Sequence, residues 1–157
     1  MTITNKTQTR LAFLSQVIKK EVKHLETTDA RLFMTPFTLA KAKSLESDIQ
    51  LAEQVDAFVT RFGRLQDTLG DKFLPLLLNF LAEKPSSMID NLDRAEKLQL
   101  IASVDEWIAM RNLRNQMAHE YIDDLNILVS ALETAHRFVP TLIDTASHFQ
   151  QRISNQI

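Results

Sequence analysis

The chain contains no cysteine. Disulfide scaffolds, zinc–thiolate sites and thiol nucleophiles are thereby excluded, and the composition suits a reducing compartment. Only two glycines, Gly63 and Gly70, and four prolines occur in 157 residues. A chain so poor in turn residues is not expected to be β-rich. Long apolar runs are missing too: the longest, residues 73–78, is far too short to span a bilayer. Residues 1–9 are polar and lack the apolar stretch of a signal peptide, so a cytoplasmic location and no membrane association are expected. There is no excess of basic charge. The formal net charge is -2 and the pI near 6.1, which argues against a broad electropositive surface for long nucleic acid. Any such contact must be local, through a few clustered arginines.

What is present reads as one helical domain, 1–157. Hydrophobic residues make up 45%, enough to bury a core without disulfides or structural metal. Leu45, Ile49, Ala52, Val55, Val59, Phe62, Leu65 and Leu69 step by three or four, the period of one helix face. Thr35 and Pro36 offer an N-cap and a first-turn proline, so a helix over 36–69, roughly 50 Å long, is expected. A second long stripe runs from Ile122 to Ile153, with a kink expected at Pro140. Shorter helices are expected over 10–25, 71–82 with Pro75 in the first turn, 88–98, and 104–118 with Ser103 as N-cap and Glu106 at N3. The stretch 84–87, Lys-Pro-Ser-Ser, is the clearest loop. The expected fold class is all-α, an up-and-down bundle of about five helices.

Chemistry concentrates in residues 110–121, where Arg114, His119 and Tyr121 follow one another at short spacing. Guanidinium makes paired hydrogen bonds to phosphate oxygens and stays charged at any working pH. Imidazole titrates near neutrality and can take or give a proton. RNA supplies its own nucleophile, the 2'-OH, so this pair is the minimum equipment for cutting RNA without a metal. Two difficulties stand against a site within one chain. A single histidine leaves the acid step poorly supplied. Five residues on an ideal helix also separate Arg114 and His119 by about 140°. Both ease if the helix ends near His119 and two copies pair about a two-fold axis. Asn115, one turn before His119, is placed to orient the imidazole. Arg111 is a candidate second phosphate contact, and Asp67, stepping with Arg61 and Arg64, a candidate partner that holds an arginine. His24, His136 and His148 stand at no ligand-like spacing, Asp123 and Asp124 most simply favour a helix N-terminus, and Trp107 and Phe62 read as core or dimer contacts. No metal site is expected.

The pattern Arg114-x4-His119-x-Tyr121 resembles the signature of the HEPN domains, and within them the HepT branch. Asn115 after the arginine, Ala118 before the histidine and Glu120 before the tyrosine strengthen the match. The segment from Arg61 through Phe62, Gly63, Arg64 and Asp67 to Gly70 is similar to this branch, as is Asp105-Glu106-Trp107. The likeness covers about two thirds of the chain, from Ala52 onward.

That resemblance implies a dimeric HEPN-like bundle and a metal-independent endoribonuclease. It implies the toxin of a type VII-like toxin–antitoxin system, acting on RNA such as tRNA or mRNA with no cofactor. Arg114 and His119 would be catalytic at the dimer interface, supported by Asn115 as the polar residue after the arginine; the resemblance says less about Arg111, and Asp67 rests on its spacing alone. The partner would be a small nucleotidyltransferase antitoxin that silences the toxin by moving AMP onto Tyr121, with a larger hetero-oligomer as one form of the complex. An alternative of another class is a non-catalytic substrate-binding or regulatory subunit of a nucleotidyltransferase. A structural helical adaptor would explain the fold and leave the signature to chance.

Overall fold

The computed structural model describes residues 2–119 and 124–156, with side chains for 5–118 and 124–155. Among these residues there is no strand. Seven α-helical segments follow in order: α1 (Thr2–Leu32), α2 (Leu39–Lys43), α3 (Ile49–Asp67), α4 (Leu74–Phe80), α5 (Met88–Lys97), α6 (Val104–His119) and α7 (Leu125–Gln156). A π-helical turn, Thr68–Phe73, joins α3 to α4 without a break, so six rods result. The all-α expectation holds, with one more rod than the five foreseen.

The first helix is twice the expected length. Beyond 10–25 the inward period continues through Thr28 to Leu32, both buried, and burial extends the helix as far as the stripe runs. The helix expected over 36–69 is instead interrupted. Pro36 lies outside any helix, and Thr38, not Thr35, accepts the Lys41 N–H to cap α2. A 3-10 turn, Ser44–Glu46, follows, and Asp48 then caps α3 by accepting the Leu51 N–H at 3.0 Å. Apolar spacing runs across this break, but Ile49 within it is exposed, and α2 packs on α7 while α3 packs on α1 and α6. The polar caps Ser44, Ser47 and Asp48 decide where the helix restarts, since each offers the backbone a partner outside the helical ladder.

The opposite correction applies at Gly70. A break was expected before 71–82, yet the chain passes through it helically. The Leu74 N–H bonds back five residues to the Leu69 carbonyl, and Pro75 sits in the first turn of α4. Proline has no N–H for the carbonyl four residues earlier, and the wider π turn lies directly before it.

The remaining boundaries fall close to expectation. Ser87 caps α5 through the Asp90 N–H, and Ser103 accepts the Glu106 N–H at 3.2 Å to start α6. Asp124 accepts the Asn126 N–H at 2.9 Å at the head of α7, which carries Pro140 within it. Apolar side chains from every rod but the short α2, which adds only Ala42, form one contiguous core including Leu11, Phe58, Phe62, Phe73, Trp107 and Phe149. Trp107 and Phe62 are thus core residues. No helix among the described residues is long and apolar enough to cross a membrane.

Candidate functional site

The helix α6 lies against α3, its Trp107 ring reaches the π turn, and the two glycines set how closely. A methyl group added at Gly63 would stand 2.6 Å from Arg114 Nε and 2.9 Å from its Cδ. One added at Gly70 would stand 3.0 Å from the Trp107 ring. Gly63 and Gly70 are seven residues apart, as are Trp107 and Arg114, and the antiparallel helices bring each glycine under one side chain of α6. The Trp107 seat is buried and apolar. The Gln66 amide, also buried, donates to the Trp107 carbonyl at 3.1 Å and ties the helices there. The Arg114 seat is half open.

From that seat Arg114 Nη1 donates to Asp67 Oδ1 at 2.5 Å. The pair lines a cleft of about 520 Å³ with Thr60, Arg64, Thr68, Lys72 and Asp71. The expectation that Asp67 holds an arginine is met, and the arginine is Arg114. Arg64 lines the same cleft. Arg61 departs from it: its guanidinium turns to α1, donating to the Thr28 hydroxyl and toward the His24 carbonyl. Arg111 lies 3.5 Å from Asp71 and against the Met88 thioether, at the α5 side and not among the residues lining the cleft. Asn115 is exposed.

The helix α6 carries Arg114 and is described as far as the backbone of His119. The His119 side chain and the whole of Tyr121 and Asp123 lie outside the described residues.

The glycine seats make opposite predictions for one substitution. Gly63→Ala should leave the melting temperature unchanged or raised, because alanine favours the helix by about 1 kcal/mol and the obstructed group is a flexible side chain. It should nevertheless displace the Arg114 guanidinium and lower any function that depends on it. Gly70→Ala meets a buried ring that cannot swing aside, and should cost about 1–3 kcal/mol. Thermal melts of both variants check this; equal destabilisation would contradict the two-seat description.

Sequence reasoning missed Glu21. It is buried on α1 behind the cleft wall. The Thr68 hydroxyl donates to its Oε2 at 3.1 Å, and its Oε1 has no partner among the described residues. Loss of solvent raises its pKa above the usual carboxylate value, against the Thr68 hydrogen bond and the attraction of Arg64 and Lys72. The folded chain therefore holds this proton to a higher pH than the unfolded chain. Its contribution to stability falls as pH rises from the unfolded value through the folded one, and is constant above. Glu21→Gln, which keeps an acceptor for Thr68, should raise the melting temperature at neutral pH. The gain should vanish as pH drops below about 4, where the wild-type carboxyl is neutral in both states. Melts across pH check it, and a gain independent of pH would count against it. The one signal in the sequence was an acid at a position, 21, within the inward period 14, 18, 25.

No protein-family model, no curated protein and no solved structure matches the chain.

Proposed function

We propose that the chain is a metal-independent endoribonuclease that cleaves RNA by 2'-OH attack. The observation that carries this is Arg114, packed on Gly63 and held by Asp67 in an open cleft, with His119 following on the same helix. In this reading the guanidinium holds the scissile phosphate and stabilises charge developing on its non-bridging oxygens. His119 takes the 2'-OH proton, and the 2' oxygen then attacks the phosphorus. A proton must also reach the departing 5' oxygen. A second copy of the chain, paired around α6, would supply a second His119 for that step. A homodimer is therefore part of the proposal. Asp67 fixes the arginine until phosphate takes its place, and Asn115, exposed on α6, is free to turn toward a bound strand; Arg111 would have to leave Asp71 and Met88 to add a phosphate contact. The test is cleavage of RNA by the purified chain in EDTA; strict dependence on an added divalent ion contradicts the reading.

The resemblance to the HepT branch adds a partner and a control. Under it the chain is the toxin of a toxin–antitoxin pair, and a small nucleotidyltransferase transfers AMP to Tyr121. Tyr121 follows His119 by two residues, so an added phosphate would place negative charge and bulk beside the entry of RNA phosphate. Co-expression with the partner enzyme should add AMP to Tyr121 and suppress cleavage, while Tyr121→Phe should escape both. Intact-mass measurement decides this: a silenced complex with unmodified Tyr121 would point to occlusion instead.

A further inference from the structure

The cleft at Arg114 has a neighbour on the same helix. A second cleft of about 500 Å³ is lined by Gln50, Glu53, Gln54, Ala57 and Arg61 of α3, with Thr28 and Arg31 of α1. Along α3 and the π turn that continues it the two clefts follow one another on a single face: Gln50, Glu53, Ala57 and Arg61, then Arg64, Thr68 and Asp71, step by three or four. That is the period of one helix side. It is the side left between two walls, because α1 and α6 each pack on α3 and make no extensive contact with one another. From Gln50 to Asp71 the trough runs about 30 Å at 1.5 Å per residue.

Its charge differs from that of the chain. Arg31, Arg61, Arg64, Lys72 and Arg114 face Glu53, Asp67 and Asp71, an excess of positive charge on a protein whose net charge is -2. Asp67 and Asp71 are engaged with Arg114 and Arg111. Among the described residues no carboxylate comes within ion-pair distance of Arg31, Arg61 or Arg64. The Arg61 guanidinium is held by neutral acceptors, the Thr28 hydroxyl and the His24 carbonyl, so it is positioned without being neutralised. Gln50 and Gln54 add amide groups able to bond base edges.

We infer that this face of α3 is a binding track for single-stranded RNA, with Arg31 and Arg61 forming a second phosphate subsite beyond the Arg114 cleft. The inference rests on the ribonuclease reading for its ligand and extends it to residues outside the signature. The arginines of the trough follow one helix face in a single row, which matches the one phosphate backbone of a single strand. The trough's length accommodates roughly nine stacked nucleotides at 3.4 Å each, and fewer if they are extended.

The experiment uses the full chain carrying His119→Ala, so that binding is read without cleavage. Affinity for a fluorescein-labelled single-stranded decamer RNA is measured by anisotropy between 50 and 200 mM salt. Each phosphate contact removed lowers the slope of log affinity against log salt by about 0.7. Arg31→Gln should therefore flatten it by about 0.7, and Arg31→Gln/Arg61→Gln by about 1.4. Arg31 is exposed, so the single variant tests the track even if loss of the Arg61 contacts to α1 impairs folding. Lys97→Gln, exposed on α5 away from the trough, should leave the slope unchanged.

Four results would overturn the inference. A parental slope kept by both arginine variants while Arg114→Ala reduces it would remove the track and leave the ribonuclease reading standing. Equal flattening by Lys97→Gln would mean diffuse attraction. Tighter binding of duplex than of single-stranded RNA would refute the strand geometry. Failure of the parent chain to bind any RNA would sink the ribonuclease reading together with the track.

Discussion

Replacing Arg114 or His119 by alanine is expected to lower RNA cleavage by at least about a hundredfold, the usual loss when an oxyanion stabiliser or a general base is removed. The structure says why the Arg114 variant should lose function without losing its fold. The guanidinium and its Asp67 partner are each about one third exposed, 36% and 33%. An ion pair so open to water contributes about 1 kcal/mol or less to stability. A seat emptied above Gly63 leaves solvent, not an apolar cavity. Arg114→Lys should recover little, because an ammonium cannot form the paired contacts of a planar guanidinium. Circular dichroism and melting should stay near wild type while initial rates collapse. Wild-type rates in either alanine variant would exclude the residue from the chemistry.

The largest effect on stability should come from Trp107→Ala, a loss of about 3–5 kcal/mol. Trp107 is 2% exposed, and its ring covers Gly70 inside the π turn. Removing it leaves a void between two backbones that cannot close, since the Gln66 amide fixes the helices at the Trp107 carbonyl. Such a loss is a large share of what holds a domain of this size together, roughly 5–15 kcal/mol. Chemical denaturation should show the midpoint falling steeply. A change below about 1 kcal/mol would mean that α6 is not anchored through this ring. The position of Arg114 depends on that anchor, so Trp107→Phe, which fills part of the space, should lose function in proportion to stability.

These two residues also show what could be read beforehand. The start of α6 was legible because Ser103 and Glu106 form a local cap that needs nothing from elsewhere in the chain. The Asp67–Arg114 pair was half legible: the step Arg61, Arg64, Asp67 marked one face of a helix, but spacing alone does not say which neighbour that face meets. Arg61 turned to α1 and Asp67 to α6 because the face lies between two walls. The glycine seats were written in the sequence as two equal spacings, 63 to 70 and 107 to 114. Their meaning required the antiparallel register of the helices, a tertiary fact. Gly70 misled for the same reason, since a glycine counted as a helix breaker served as the close approach for a tryptophan. Where α3 begins was hidden by apolar stepping that continued through a polar cap, and Glu21 by an inward position that usually carries no charge.

Cleavage by 2'-OH attack is the claim on which the functional account stands, and the ends of the RNA fragments test it most directly. Purified protein is incubated in EDTA with a defined single-stranded RNA, and the products are resolved by mass spectrometry. The account predicts upstream fragments ending in a 2',3'-cyclic phosphate and downstream fragments beginning with a 5'-hydroxyl, with no cut where the 2'-OH at the cleaved position is replaced by hydrogen. Fragments with 3'-hydroxyl and 5'-phosphate ends, or unchanged cleavage of the 2'-deoxy substrate, would contradict it.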